Sequence, residues 1–298
     1  MAHVVTLASN PARPAVTSAV VKAAAAVLPD AGPAVTLDAG IAVDIPFASP
    51  DAIDNRAVAD WVRATLAGAP VDVFVQDAAT RRKRLFLADM DSTMIGQECI
   101  DELADMVGMK AHVAEITERA MRGEIDFEPA LRERVALLKG LPAAVVGDVI
   151  DKRITLTPGG RQLVRTMRAN GAYTALVSGG FTLFTGPVHV MLGFDEHRSN
   201  LLRVEDGKFA GLVEEPILGR EAKLAALVEL RDRFGLAKAQ TMAVGDGAND
   251  LAMIGEAGLG VAFRAKPKVA EAAAARIDHG DLTALLYAQG YRGSDFVA

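Results

Sequence analysis

Cysteine occurs once in the 298 residues, at Cys99. A single thiol excludes an intrachain disulfide and any cysteine-rich zinc site, and it suits a reducing compartment. Aromatic residues make up only 5%, too few to suggest platforms that stack on nucleobases. A basic surface is missing as well. The 32 Lys and Arg face 38 Asp and Glu, a net charge of -6, so no nucleic-acid partner is expected. No run of about 18 apolar residues occurs, so no membrane span is expected either. The opening Met1-Ala2-His3-Val4-Val5 has no basic leader before a long apolar block. A secretory signal is therefore not expected, and the cytoplasm is the default. Several catalytic signatures are also absent: no GxxxxGK[ST] loop, no complete GxGxxG, no HExxH and no Gly-x-Ser-x-Gly elbow. His112, His189 and His279 are scattered and read as surface or polar-packing residues.

What is present is an ordinary globular composition, 51% hydrophobic and 23% charged. At about 150 residues per domain, the length predicts two domains. Residues 3 to 77 read as a small unit. Strands at Val4 to Leu7, Ala34 to Leu37, Ile41 to Ile45 and Val71 to Val75 alternate with helices at Ala15 to Leu28 and Ala57 to Leu66. The order is βαββαβ. The basic run Arg81-Arg82-Lys83-Arg84 reads as a solvated linker.

From Leu85 the pattern changes. A strand, Leu85 to Ala88, leads into a long helical region from Gln97 to Leu138. Strands and helices then alternate: helix Arg161 to Ala169, strand Tyr173 to Val177, a helical turn near Phe181, and a hairpin about Asp206-Gly207. Helix Lys223 to Phe234, strand Thr241 to Val244 and helix Asp250 to Ala257 follow. Such alternation predicts an α/β fold, a mostly parallel sheet with helices on both faces. The helical block after the first core strand, about residues 97–156, reads as a cap inserted over the strand ends.

Three apolar strands end in residues capable of chemistry. The first ends at Asp89-Met90-Asp91-Ser92-Thr93, the second at Ser178-Gly179-Gly180, and the third at Gly245-Asp246-Gly247-Ala248-Asn249-Asp250. In a parallel sheet these ends share one edge, where open α/β folds bind ligands. Of two acids spaced i, i+2 there, one can attack or hold a metal and the other can move protons. Asp89, Asp246 and Asp250 form an all-oxygen set that favours magnesium. Ser178, the neighbouring backbone N–H groups and Lys223 suit an anion such as phosphate. Taken singly, each motif could be a turn, a loop or a solvated lysine. Their agreement carries the inference.

These motifs resemble those of the haloacid dehalogenase-like hydrolases, over about residues 84 to 290. Within that superfamily the chain is similar to the phosphoserine phosphatases. The similarity extends to Gly96-Gln97-Glu98, Asp126-Phe127-Glu128, Leu131-Arg132-Glu133-Arg134-Val135, Thr157-Pro158-Gly159 and Ala265-Lys266-Pro267.

The resemblance implies a Rossmann-like core with a helical cap, residues 84–298, behind an ACT-like N-terminal domain, residues 1–80. It implies magnesium-dependent hydrolysis of O-phosphoserine, the last step of serine biosynthesis. Asp89 would be the nucleophile and Asp91 the proton shuttle. Magnesium would be held by Asp89, the Asp91 carbonyl, Asp246 and Asp250. Ser178, Gly179, Lys223 and Asn249 would meet the phosphate, Glu98 the amine and Arg134 the carboxylate, while Phe127 closes the pocket. The implied partner is a small molecule, and a homodimer is compatible with the reading. Two rival readings are kept. One is a phosphatase or phosphotransferase of the same superfamily acting on another small ester, such as phosphohomoserine. The other is a non-catalytic amino-acid sensor, which would require damage to the catalytic set; the sequence contains none.

Overall fold

The computed structural model describes residues 2–48 and 54–298. The chain begins with strand β1 (Ala2–Ser9), helix α1 (Ser18–Ala25), strands β2 (Val35–Asp38) and β3 (Ala42–Ala48), helix α2 (Asn55–Thr65) and strand β4 (Val71–Asp77). The strands form an antiparallel sheet in the order β2-β3-β1-β4. Thr17 and Asp54 start the two helices by accepting backbone N–H groups of the first turn. Strand alternation sends Val5 and Leu7 into an apolar layer with Ala24, Val58 and Val62 of the helices. The opposite face is also covered. Ala8, Ala42 and Phe74 join Leu286 and Tyr287 in a single core cluster.

The second unit opens with β5 (Leu85–Ala88), followed by α3 (Cys99–Asp105), α4 (Lys110–Met121), α5 (Phe127–Ala136), α6 (Val145–Lys152) and α7 (Gly160–Ala169). Then come β6 (Tyr173–Phe181), α8 (Thr182–Leu192), β7 (Glu196–Asn200) and the hairpin β8 (Leu202–Glu205) and β9 (Lys208–Val213). The chain ends with α9 (Arg220–Arg233), β10 (Thr241–Gly245), α10 (Leu251–Glu256), β11 (Leu259–Phe263), α11 (Pro267–Ala272), β12 (Ala275–Ile277) and α12 (Ala284–Ala288). Six strands pair in parallel in the order β12-β11-β10-β5-β6-β7.

Residues alternate along β5. Leu85 and Leu87 pack on Leu227 and Leu230 of α9, while Phe86 and Ala88 face the cluster containing Leu163 of α7 and Phe184 of α8. Helices therefore cover both faces, as the α/β reading expects. Strand β5 lies between β10 and β6, so the three strand ends singled out in the sequence are neighbours at a topological switch point.

One expectation is corrected and two are refined. The run at 81–84 is only partly solvated: Arg82 and Arg84 are exposed, and Arg81 is half-buried. Lys83 is buried, and its Nζ donates to the carbonyls of Thr80 (3.0 Å) and Ala239 (2.9 Å). Arg81 pairs with Asp44 at 2.5 Å, and the Arg82 guanidinium lies 3.5 Å from the Tyr291 ring centroid. Arg81, Lys83 and Arg82 thus tie the linker to both units, while Arg84 faces solvent. The helical region 97–138 is built of three helices, broken where Gly108 and Gly123 take φ of +70° and +73°. Strand β6 runs through Phe181, and the helical turn expected near it opens α8 at Thr182. The hairpin itself leans on the cap, with Phe209 N–H donating to Leu141 O at 2.9 Å. Strands β11 and β12 were not anticipated, because short apolar runs carry no period that separates strand from helix.

Candidate active site

Strand β5 delivers Asp89 to its carboxyl end, where the Asp89 N–H still bonds Val244 O of β10 at 3.0 Å. The chain then turns sharply through Met90 to Met94, with Ser92 at φ 54°. A non-glycine residue there costs about 1–3 kcal/mol and persists only where surrounding contacts enforce it. Here the turn brings three side chains to work. Cys99 N–H donates to Asp91 Oδ1 at 3.1 Å, the Ser92 hydroxyl donates to Glu98 Oε1 at 2.5 Å, and the Thr93 hydroxyl donates to Asp246 Oδ1 at 2.9 Å.

Strand β10 ends at Gly245. A Cβ on that residue would lie 2.3 Å from the Asp250 carboxyl carbon, so only glycine admits this close approach. Asp250 Oδ2 accepts the N–H groups of Asp246 (3.2 Å) and Gly247 (3.1 Å). Lys223 lies in the first turn of α9 rather than opening it, and it is fully buried. Its Nζ stands 2.8 Å from Asp89 Oδ1 and 2.7 Å from Asp250 Oδ1.

Oxygens of Asp89, Asp246 and Asp250 lie within 4.8 Å of one another, all buried. Three carboxylates against one ammonium leave an excess of two negative charges if all ionise. Burial drives the Asp89 carboxyl well above its usual range, and the charge of Asp250 pushes it further while Lys223 pulls back. Burial and Asp250 likewise push Asp246 up to about 7. A hard dication would supply the missing positive charge, and an all-oxygen set suits magnesium. Magnesium therefore fits these residues.

On the neighbouring strand β6, Ser178 is buried and its Oγ accepts the Gly180 N–H at 2.9 Å. Asn200 fixes the loop by donating to Gly179 O at 2.8 Å. Asn249 Oδ1 is buried without a partner among the described residues.

Asp89, Asp91, Glu98, Phe127, Arg134, Ser178, Gly179 and Asn249, all singled out in the sequence, line one cavity of about 580 Å³. Lys223, Asp246 and Asp250 are buried and join it through their contacts with Asp89 and with each other. The cap closes over this cavity. The Phe127 ring is wedged so that a Cβ on Gly179 would meet it at 2.8 Å. Glu118 of the cap pairs with Lys266 of the core at 2.8 Å, and Arg132 pairs with Glu215.

Burial lifts the Glu98 carboxyl well above the normal range, with the Asp91 charge adding to it. Burial pulls the Arg134 guanidinium down, while Glu98 and Asp101 oppose that shift. Arg134 Nε donates to Ala130 O at 3.1 Å and Nη1 to the Thr117 hydroxyl at 2.9 Å. Cys99 is buried and its thiol is pushed well up by burial, as an inert structural cysteine should be.

Sequence reasoning gave no role to Ser92, Thr93, Thr117 or Asn200. Ser92 and Thr93 adjoin the paired acids and could have been suspected there. Thr117 and Asn200 carry no local signal, since their partners come from other elements.

Comparison with known proteins follows the same lines. Residues 86–255 match the family model of the haloacid dehalogenase-like hydrolases. A phosphoserine phosphatase of a Polaromonas species is 47% identical over 224 residues, covering 74% of this chain and 95% of that protein. Phosphoserine phosphatase SerB2 of Mycobacterium tuberculosis is 46% identical over 222 residues, and the match spans only 54% of its length. Among solved structures, a phospho-aspartyl intermediate analogue of phosphoserine phosphatase has 42% identity and a TM-score of 0.66, covering 69% of this chain and 98% of the other. A HAD family hydrolase from Salmonella enterica serovar Typhi has 28% identity and a TM-score of 0.83, covering 96% and 97%. The chain belongs to the haloacid dehalogenase-like hydrolases and falls among their phosphoserine phosphatases.

Proposed function

We infer that this enzyme hydrolyses O-phosphoserine to serine and phosphate with magnesium as cofactor, the last step of serine biosynthesis. One observation carries the substrate: Glu98 and Arg134 line the same cavity as Asp89 and Ser178. A zwitterionic amino acid with a phosphate tail needs an acid, a guanidinium and an anion cradle within one molecular length, and a simple phosphate ester does not. Phosphohomoserine differs by one methylene, and phosphothreonine by one methyl group.

Asp89 attacks phosphorus, and the bond from phosphorus to the serine oxygen breaks as the aspartyl-phosphate forms. Asp91 gives its proton to the departing oxygen, then takes one from the water that cleaves the aspartyl-phosphate. Burial raises the Asp91 carboxyl, the direction a general acid needs near neutrality. Ser178, the Gly179 N–H, Lys223 and Asn249 hold the phosphoryl oxygens. Asp89, the Asp91 carbonyl, Asp246 and Asp250 would hold magnesium, which offsets their charge and that of the phosphoryl group. Glu98 takes the amine, Arg134 the carboxylate, and Phe127 shuts the pocket against bulk water.

The same reading divides the chain into an ACT-like domain, 1–80, and a phosphatase domain, 84–298, with its cap at about 97–156. It places the enzyme in the cytoplasm, acting on a small molecule without a nucleic-acid or membrane partner. The net charge of -6 supports the lack of a nucleic-acid partner. Among the described residues no helix is long and apolar enough to cross a membrane.

Phosphate release from phosphoserine, phosphothreonine and a sugar phosphate, each with magnesium, tests the reading. Phosphoserine should lead clearly, and Asp89→Asn should abolish release. Equal rates on all three would refute the substrate, and activity surviving Asp89→Asn would refute the covalent step.

A further inference from the structure

Of the two arginines that line the cavity, Arg134 and Arg220, Arg134 is tied down in two directions. It lies on α5, with Nε on Ala130 O and Nη1 on the Thr117 hydroxyl of α4. Thr117 is itself buried and lies 2.9 Å from Asp101 Oδ1 on α3 and 2.9 Å from Val113 O. A hydroxyl has one proton. Its oxygen accepts from Arg134, so its proton must choose between a carboxylate and a carbonyl, and the carboxylate is the stronger acceptor. A threonine inside a helix ordinarily spends that proton on the carbonyl four residues back, here Val113 O. Asp101 offers the alternative.

We propose that Thr117 and Asp101 are positioning residues for Arg134: the Asp101–Thr117–Arg134 chain fixes the guanidinium plane so that Nη2 faces the substrate carboxylate. The inference rests on the reading of Arg134 as the carboxylate clamp and extends it. A guanidinium is planar, so holding Nε and Nη1 leaves one direction for the remaining edge. Nη2 makes no hydrogen bond to the protein among the described residues, and Arg134 lines the cavity. The chain crosses three cap helices. It therefore couples carboxylate recognition to the packing of α3, α4 and α5, rather than to the strand ends where phosphate is handled. Orientation of this kind acts on substrate binding and leaves the phosphoryl chemistry to other groups.

Thr117→Val removes the hydroxyl at nearly constant volume. On phosphoserine it should raise KM about tenfold, the size of one charge-assisted hydrogen bond, with kcat changed by less than about threefold. Phosphoethanolamine keeps the amine and lacks the carboxylate, so its KM should move by less than about twofold. Thr117→Ser should restore the wild-type KM. In an Arg134→Met background, Thr117→Val should add nothing, because the group it orients is gone. Asp101→Ala should give the same split at smaller size, which keeps the proposal testable if Thr117→Val folds poorly.

An unchanged KM in Thr117→Val, equal losses on both substrates, or a full additional loss in the Arg134→Met background would overturn the positioning role. A wild-type enzyme with no preference for phosphoserine over phosphoethanolamine would instead remove the reading of Arg134 on which the proposal stands. That failure is visible before any variant is made.

Discussion

Lys223 Nζ lies 2.8 Å from Asp89 Oδ1 and 2.7 Å from Asp250 Oδ1, with no solvent exposure of its own. Burial alone would discharge this lysine, yet the charges of Asp250 and Asp89 hold it protonated and raise it above the normal lysine range. Among the described residues, the ammonium is the one cation inside the cluster of three acids. Lys223→Met should therefore lose about 3–5 kcal/mol of stability at pH 8 with EDTA present, because removing one partner leaves buried charge uncompensated. Magnesium should recover part of that loss while phosphate release stays absent. Urea denaturation with and without the metal measures this. A metal-free Lys223→Met within about 1 kcal/mol of wild type would show that the cluster is not held by this contact.

Asp91 and Asp89 differ by role, and a good leaving group separates the roles. An aryl phosphate needs little protonation to depart, whereas the aspartyl-phosphate still needs a base to activate water. Asp91→Asn should release about one equivalent of phenolate per active site in a burst and then turn over slowly. Asp89→Asn should give no burst. Stopped-flow absorbance reads both. A slow, burst-free time course in Asp91→Asn would mean that the first step limits turnover even with a good leaving group, against the role given to Asp91 in the second.

Much of this site is legible in the sequence, and the reason is physical. Asp89, Ser178 and Asp246 each close an apolar run, and parallel pairing of β5, β6 and β10 forces their ends together. Little tertiary knowledge is needed for that step. Glu98 and Arg134 are different. Glu98 immediately precedes α3 and Arg134 lies on α5, with no periodic signal of function, and only the resemblance nominated them. Thr117 and Asp101 were invisible for the same reason, since their chemistry exists only once α3, α4 and α5 pack. The basic run at 81–84 misled because composition counts charges without seeing their partners: Asp44 for Arg81, backbone carbonyls for Lys83. Strands β11 and β12 escaped because five and three residues are too few to show a period that separates strand from helix.

The acids of the magnesium site carry a pH signature. Asp246 sits at about 7 in the fold against 3.8 for the free group, raised first by burial and then by Asp250. Asp89 moves the same way. A folded value above the unfolded one favours the fold while the group is protonated. That contribution is complete below pH 3.8 and is lost as pH rises through about 7. Metal-free protein should therefore melt lower at pH 8 than at pH 5.5, as far as this cluster decides. Magnesium binds the ionised acids, so its stabilisation should grow over the same interval. The rise in Tm on adding magnesium should be larger at pH 8 by about 4 °C or more. Thermal melts with EDTA or magnesium at the two pH values measure it. An equal shift at both, or a larger one at pH 5.5, would contradict the assignment of these acids to the metal.

One carboxylate of the N-terminal sheet makes three of its ties to the catalytic unit. Asp72 Oδ1 accepts the N–H groups of Asp278 (2.8 Å) and His279 (3.1 Å), and Oδ2 accepts that of Gly280 (2.7 Å). Around this tie, Gln76 donates to Ala288 O at 2.8 Å and the Tyr287 hydroxyl to Asp38 at 2.7 Å. The sheet face that carries Ala8 and Phe74 is buried in the same cluster as Tyr287. A regulatory domain that moves would have to expose that face. Asp72→Ala strands three backbone donors and should cost about 3 kcal/mol of stability. Turnover on phosphoserine should stay within about twofold, because no catalytic group touches the seam. Denaturation midpoints and steady-state rates on one preparation decide the matter. Lost stability with kept turnover assigns the N-terminal unit to folding. Kept stability with altered KM, or altered inhibition by serine, would instead make the seam a moving joint and the unit a sensor.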